Sequence, residues 1–342
     1  MSLTDIAKTF ALKKLPDSAV ELTGEVPFET LAPYQAPALK HISEHLDLPG
    51  FRKGHVPAEM ARKKVGEIHL LEEAVELFIQ DFYPALITTH AVNAVGRPAI
   101  NITKLAPQNP VGLTVRASVY PDVTLPKNWQ KIHEQVAPEP ASPTTDEEID
   151  KTLESLRASS AKATDGQAKP LPEMTDEWAK SVGAFESLDA LKAQITKGIT
   201  AEKERAAKDK RRGKIIDALL EKVSVEVPAI FIESELEKIL AQLKEDVSRF
   251  GLKFEEYLKQ VKKTEDEVRA DFREQAKKRA ALQLALNKIA EVEKVEADQA
   301  MMEQELKHAL EHFPDAKPEL VKIHIETVLR NEKVLKLLEG EK

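Results

Sequence analysis

Cysteine is absent from this 342-residue chain, glycine occupies only 12 positions, and aromatic residues make up 5%. Without a thiol there is no disulfide, zinc finger, iron–sulfur cluster or cysteine nucleophile. Few glycines and aromatics argue against a β-sandwich or a Gly-rich nucleotide fold and for a helix-rich architecture. The phosphate-cradling strings G-x-G-x-x-G and G-x-x-x-x-G-K-[ST] are missing, and no serine stands in G-x-S-x-G. No apolar run approaches the roughly 18 residues of a membrane span. The first 14 residues, Asp5 among them, contain no signal-peptide core. A cytoplasmic location without a membrane partner is the default expectation. An excess of positive charge is lacking too. Fifty Lys and Arg face 58 Asp and Glu, a balance of −8, so nucleic-acid contact would need a local basic patch.

What the chain does contain is enough apolar residues, 42% against 32% charged, to bury a sizeable core in two or three domains. Proline divides it, with 17 of 20 at or before Pro172, so long helices belong to the second half. Before residue 120 the reading is mixed. Ile6–Leu12 and Ala19–Val26 alternate as strands around a Pro16-Asp17-Ser18 turn, and Ala99–Lys104 and Leu113–Tyr120 return as strands. Glu29–Leu48, Ala58–Val65 and Ile68–His90 carry helical spacing. Residues 121–143, with five prolines, read as an extended connector, and Thr144 to Glu148 starts a helix running to about Ser159. From Asp176 onward the pattern is helical, with Pro228 at a helix start and Gly251 at a helix end. The expectation is an α+β domain at 1–120, helices on an antiparallel sheet, then a connector, helix and short bridge at 121–172. An elongated all-α domain at 173–342 completes it.

Chemistry is sparse. His41-Ile42-Ser43-Glu44-His45 and His308-Ala309-Leu310-Glu311-His312 both read H-x-x-E-H, a spacing that puts two imidazoles on one helical face, as in zinc hydrolases. Two unrelated copies point to chance recurrence on charged helices, so no metal, cofactor or catalytic residue is expected. The basic run Lys203–Lys214 has Glu204 and Asp209 interleaved and reads as a solvated helical face.

The outstanding segment is Gly50-Phe51-Arg52-Lys53-Gly54-His55-Val56-Pro57, between two helices. Pro49 and Pro57 stop helix on both sides and the glycines permit a tight reversal. An apolar anchor beside cations suits docking on a protein–RNA surface, and Arg62, Lys63 and Lys64 add a supporting basic patch. This octapeptide closely resembles the signature of the bacterial trigger factor family. Val95-Gly96-Arg97-Pro98, Tyr120-Pro121-Asp122-Val123-Thr124-Leu125, Val227-Pro228 with Ile232 to Glu235, and the stretch from Ala276 through Glu293 resemble family segments in the same order. The resemblance covers nearly the whole chain. It implies a chaperone at the ribosomal exit tunnel, with Gly50, Phe51, Arg52, Lys53, Gly54 and Pro57 contacting ribosomal protein and rRNA of the large subunit. It further implies a helical cradle for nascent and unfolded polypeptides, and leaves open a homodimer off the ribosome.

The family usually inserts an FKBP-type prolyl isomerase domain, yet only 13 residues separate Arg157 from Leu171, and none from Ala158 to Glu177 is aromatic. Thirteen residues cannot hold a sheet whose strands average about 5–6 residues each. The resemblance is to a short form, and no enzyme activity is expected. An ATP-independent holdase is the leading reading. A ribosome-independent assembly chaperone and a residual isomerase are the competitors. Candidate client contacts are Phe250, Phe254, Tyr257, Leu258, Phe313 and Leu320, at or near helix ends where core packing claims them less firmly.

Overall fold

The computed structural model describes residues 1–48, 51, 56–162 and 171–341. An N-terminal antiparallel sheet with helices is followed by a region that is almost entirely helical. Among the described residues no helix is long and apolar enough to cross a membrane. The chain forms two compact units. One is Met1–Thr124 with Ser224–Leu284, the other Leu125–Val223 with Ala285–Lys342. The units follow packing and not chain order, so their limits differ from the proline-based boundaries at 120 and 172.

In the first unit β1 (Ala11–Leu15), β2 (Ala19–Val26), β3 (Ala94–Lys104) and β4 (Val111–Val119) form an antiparallel sheet in the order β1-β2-β4-β3. Pairing of Val20 with Ala117, Leu22 with Val115 and Val26 with Val111 puts one apolar face inward. On the opposite face Arg116 Nε bonds Glu21 Oε2 at 2.6 Å. Helices α1 (Leu3–Ala7), α2 (Ala32–His45), α3 (Ala58–Val65) and α4 (Glu67–Thr89) accompany the sheet. Phe78 and Phe82 of α4 stack at 4.9 Å in the core, which also holds Ile6, Leu22 and Leu113. The expected strand over Ile6–Leu12 is corrected. Ser2 Oγ accepts the Asp5 N–H at 3.2 Å and caps α1, a local cap that outweighs the loose alternation. The strand starts only at Ala11.

The same unit holds α8 (Ala229–Arg249), the short α9 (Phe254–Val261) and most of α10 (Glu265–Glu293). Pro228 N-caps α8, and Gly251, at φ 74°, follows its end, as the punctuation suggested. Helices α8 and α10 run antiparallel, with Ile232, Leu236 and Ile239 around Ala276 and Phe272. Arg269 bonds Glu233 and Glu237 at 2.8 and 2.7 Å, and Arg273 bonds Glu233 at 2.8 Å. The two guanidinium groups, Arg273 foremost, hold the Glu233 carboxyl below its ordinary range.

Ahead of α8 the chain docks on the sheet. Thr124 and Ser224 exchange backbone hydrogen bonds of 3.0 and 3.1 Å. The N–H groups of Asp17 and Ser18, in the β1–β2 turn, donate to the Glu226 carboxylate at 2.9 and 3.3 Å. Tyr120 meets Phe231 edge-on at 5.9 Å. Gly96 has φ 73°, and a Cβ there would lie 1.9 Å from Ile230 Cδ1. The segments that carried the family resemblance, 95–98, 120–125 and 227–235, therefore meet at one joint.

In the second unit α5 (Asp146–Lys162), α6 (Asp176–Val182) and the first part of α7 (Leu188–Leu220) close on Leu153, Trp178 and Leu191. Helices α11 (Gln299–His312) and α12 (Pro318–Leu338) form the C-terminal pair. The connector is not wholly extended. Trp129–Gln135 winds into a 3₁₀ helix because Trp129 and Ile132, three apart, eclipse on one side and bury together.

The joint at Gly96 yields a prediction. Gly96→Ala should lower the midpoint of urea unfolding by more than about 1 kcal/mol equivalent, since left-handed backbone costs a non-glycine residue about 1–2 kcal/mol before any clash. In an Ile230→Ala background the loss should shrink but persist. An unchanged midpoint would refute the close approach.

Candidate docking and client-binding surfaces

The signature segment, the candidate for docking, lies between α2 and α3. Gly50, Arg52, Lys53 and Gly54 of the signature fall outside the described residues, whereas Phe51 and Pro57 are described and exposed, Phe51 at 37%. Pro57 N-caps α3 at φ −58°, ψ 138°, an extended conformation that turns the chain into the helix. Val56 beside it is buried and anchors the segment's end. Arg62, Lys63 and Lys64 occupy the last turn of α3, where the helix dipole favours cations. All three are exposed, and Arg62 reaches Glu67 at 3.5 Å. Met60 and Ile68 are exposed apolar neighbours in sequence that the sequence reading passed over.

The six client candidates fall into two groups, one in each unit. In the first unit Phe250 closes α8 with 84% of its surface exposed. Phe254, Tyr257 and Leu258 lie on α9, and Val261 extends them to i, i+3, i+4 and i+7, a single helical stripe. No residue of α9 is buried, so this stripe is left incompletely covered. Phe254 stacks on Tyr257 at 6.1 Å with the Lys244 ammonium 4.8 Å above its ring, a cation–π contact that orients the aromatic pair. In the second unit Phe313 ends α11 and Leu320 lies in the first turn of α12, both about two-thirds exposed. The sequence reading missed Met301, Ile323 and Val328, which are exposed beside them on the same two helices. The signal was available. Helix α12 carries more apolar positions than it buries, only Val334 and Leu338 being fully buried.

Most of the basic run of α7 is exposed, as a solvated face would be, and several of its cations are also paired within the same unit. Lys203 bonds Glu148 at 2.6 Å and the Pro143 carbonyl at 2.8 Å. Lys210 bonds Glu139 at 2.8 Å, and Lys214 bonds the same carboxylate. Arg212 forks to Glu332 at 3.1 Å and also holds Glu339, both on or next to α12. These cations bind the connector and the chain's last helix, and that tertiary use leaves fewer of them for RNA.

Residues 8–156 match the family described as bacterial trigger factor protein (TF), and residues 187–339 match its C-terminus. Among similar curated proteins is the trigger factor of Streptomyces coelicolor, 24% identical, with 86% of this chain and 80% of that one covered. Another is that of Carboxydothermus hydrogenoformans, 24% identical over 396 aligned positions, covering 90% and 92%. The latter alignment is longer than the 342-residue chain, so that relative has stretches without a counterpart here. A solved structure reported as "Promiscuous Substrate Recognition in Folding and Assembly Activities of the Trigger Factor Chaperone" covers 97% of this chain and 99% of its own. Its TM-score is 0.52 and its identity 18%, a likeness of fold.

The Glu139 clamp predicts an acid-sensitive connector. Hydrogen bonds from Lys210 and then Lys214 lower the Glu139 carboxyl from 4.5 to about 2. A depressed carboxyl stabilises the fold above its ordinary value and loses that contribution as pH falls through the native one. In a Trp178→Phe background, Trp129 fluorescence should report connector release as pH falls from 4.5 to about 2. Glu139→Gln should remove that component, and identical acid profiles with and without it would refute the clamp.

Proposed function

The chain belongs to the bacterial trigger factor family, whose members are chaperones, and from that premise we propose that it is an ATP-independent holdase that docks at the ribosomal exit tunnel and receives nascent chains there. The observation that carries the reading is the signature Gly50 to Pro57 between α2 and α3, with Phe51 exposed. Phe51 supplies a desolvated anchor, and Arg52 and Lys53, with Arg62, Lys63 and Lys64 behind them, supply cations for acidic side chains or phosphates. In this reading 1–120 docks, 121–172 connects, and 173–342 receives clients in the cytoplasm. The half-buried stripe of α9 and the exposed apolar residues of α11 and α12 suit weak, reversible contact with unfolded segments, because small separated patches bury little area each. No prolyl isomerisation belongs to it. Only 30 residues separate the two family matches, too few for a further sheet domain.

A second reading, an assembly chaperone acting away from the ribosome, is favoured by the position of the apolar residues on helices other than those flanking the signature. One pair of assays separates the two. Phe51→Ala, Arg52→Ala and Lys53→Ala together should abolish co-sedimentation with ribosomes while the melting profile stays unchanged, surface changes usually being within about 0.5 kcal/mol. Wild-type co-sedimentation should also weaken as salt rises. If the triple variant still pellets with ribosomes at the wild-type level, the docking assignment is wrong. In light scattering of a thermally unfolding client, Phe250→Ser, Phe313→Ser and Leu320→Ser together, all well exposed, should lower protection severalfold without lowering stability. Undiminished protection would remove these residues from the client surface.

A further inference from the structure

Helices α2 and α4 pack through Ala38 and Ile42 against Leu70, Ala74 and Leu77. Beside that seam an open hollow of about 410 Å³ is lined by His41 and His45 from α2 and by His69, Glu72 and Glu73 from α4. Three of the chain's nine histidines thus share one hollow, and the proposed docking and client residues include none of them.

His41 Nδ1 lies 2.7 Å from Glu73 Oε1, and His69 Nδ1 lies 2.6 Å from Glu72 Oε2. An ionised carboxylate only accepts, so each neutral imidazole donates from Nδ1 and keeps a lone pair on Nε2. A carboxylate behind the ring is the arrangement that fixes a metal-binding histidine's tautomer and raises its basicity. His45 is one turn from His41, and the two rings stand 5.1 Å apart at 81°. Two imidazoles on one tetrahedral ion, with Zn–N of about 2.0–2.1 Å, have centroids about 5 Å apart. The other H-x-x-E-H string differs. Its rings are 4.4 Å apart and tilted at 45°, and His312 Nδ1 donates to the His308 carbonyl.

We propose that His41, His45 and His69 form a binding site for a divalent transition-metal ion of the Zn²⁺ class, with Glu73 as the carboxylate that orients the His41 ring. As the side chains stand, no three such groups among the described residues enclose an ion. Closure of the site requires His69, with 72% of its side chain exposed, to leave Glu72 and turn across the hollow to the His41–His45 pair. Imidazole donors select Zn²⁺, Ni²⁺ or Cu²⁺ over Mg²⁺ and Ca²⁺. The bound ion ties α2 to α4 at the end where the chain leaves α2 for the signature segment.

Titration calorimetry of the tag-free full chain with Zn²⁺, with Co²⁺ absorption as the geometric readout, tests this. One ion per chain should bind at about pH 7.5 and be released towards about pH 5.5, because protonated imidazole cannot ligate. His41→Ala, His45→Ala and His69→Ala should each weaken binding at least about tenfold, and Glu73→Gln should do so by about 10-fold or more. The three histidine side chains are exposed, so their variants should melt as the wild type does. The His308→Ala, His312→Ala double variant should bind normally. Absence of saturable binding, or binding indifferent to the single variants, overturns the site. Loss with His45→Ala but not with His69→Ala also overturns it, leaving an ordinary pair one turn apart.

Discussion

Docking of residues 224–231 on the N-terminal sheet is the constraint on which the first unit depends. The chain leaves that unit at Thr124 and re-enters at Ser224, and at the crossing the two residues exchange backbone hydrogen bonds. Around the crossing, each partner has a chemical reason for its identity. Glu226 offers carboxylate oxygens to two N–H groups of a tight turn whose Asp17 and Ser18 sit at φ 58° and 47°. Gly96 has no side chain because Ile230 occupies the space one would fill. Tyr120 and Phe231 present edge to face, the arrangement aromatic quadrupoles favour. Because the joint leads directly into Pro228 and α8, the α8–α10 hairpin belongs to the same unit as the sheet.

Electrostatics does for the second unit what that joint does for the first. A helix of 33 residues such as α7 has more charged surface than a core can use. Its cations are drawn to Glu139 and Glu148 of the connecting segments and to Glu332 and Glu339 of the C-terminal helix. Exposed pairs of this kind are individually worth about 0–1 kcal/mol. Their value here lies in number and convergence, since several hold the same short stretch and Arg212 engages two carboxylates at once.

The proposed holdase role needs apolar surface that the fold leaves partly uncovered and a frame stiff enough to keep it from collapsing. Helix α9 meets the first requirement through brevity, because eight residues at the tip of a helical hairpin have little to pack against. The antiparallel α8–α10 ladder of Arg269 and Arg273 with Glu233 and Glu237 meets the second. Exposure of Phe250, Phe313 and Leu320 follows from their position where helices end and neighbouring elements are few.

Local signals in the chain determined most of its elements. Period 3.6 spacing marks α3, α4 and the helices after residue 176, and Pro57, Pro228 and Gly251 place ends to within a residue, because proline and glycine act through their own backbone. The signature segment was equally legible, being contiguous. What the tertiary structure alone decided depends on groups far apart in sequence. The joint of residues 96, 120 and 226–231 and the capture of Lys210 and Arg212 by distant carboxylates have no local period to announce them. The histidine pattern shows the division most plainly. Two identical H-x-x-E-H strings are indistinguishable as sequence, and only the packing of α4 against α2 places Glu73 behind the His41 ring of one of them and His69 on the same hollow. Periodicity records which face of a helix is apolar. It carries no record of which other helix that face will meet.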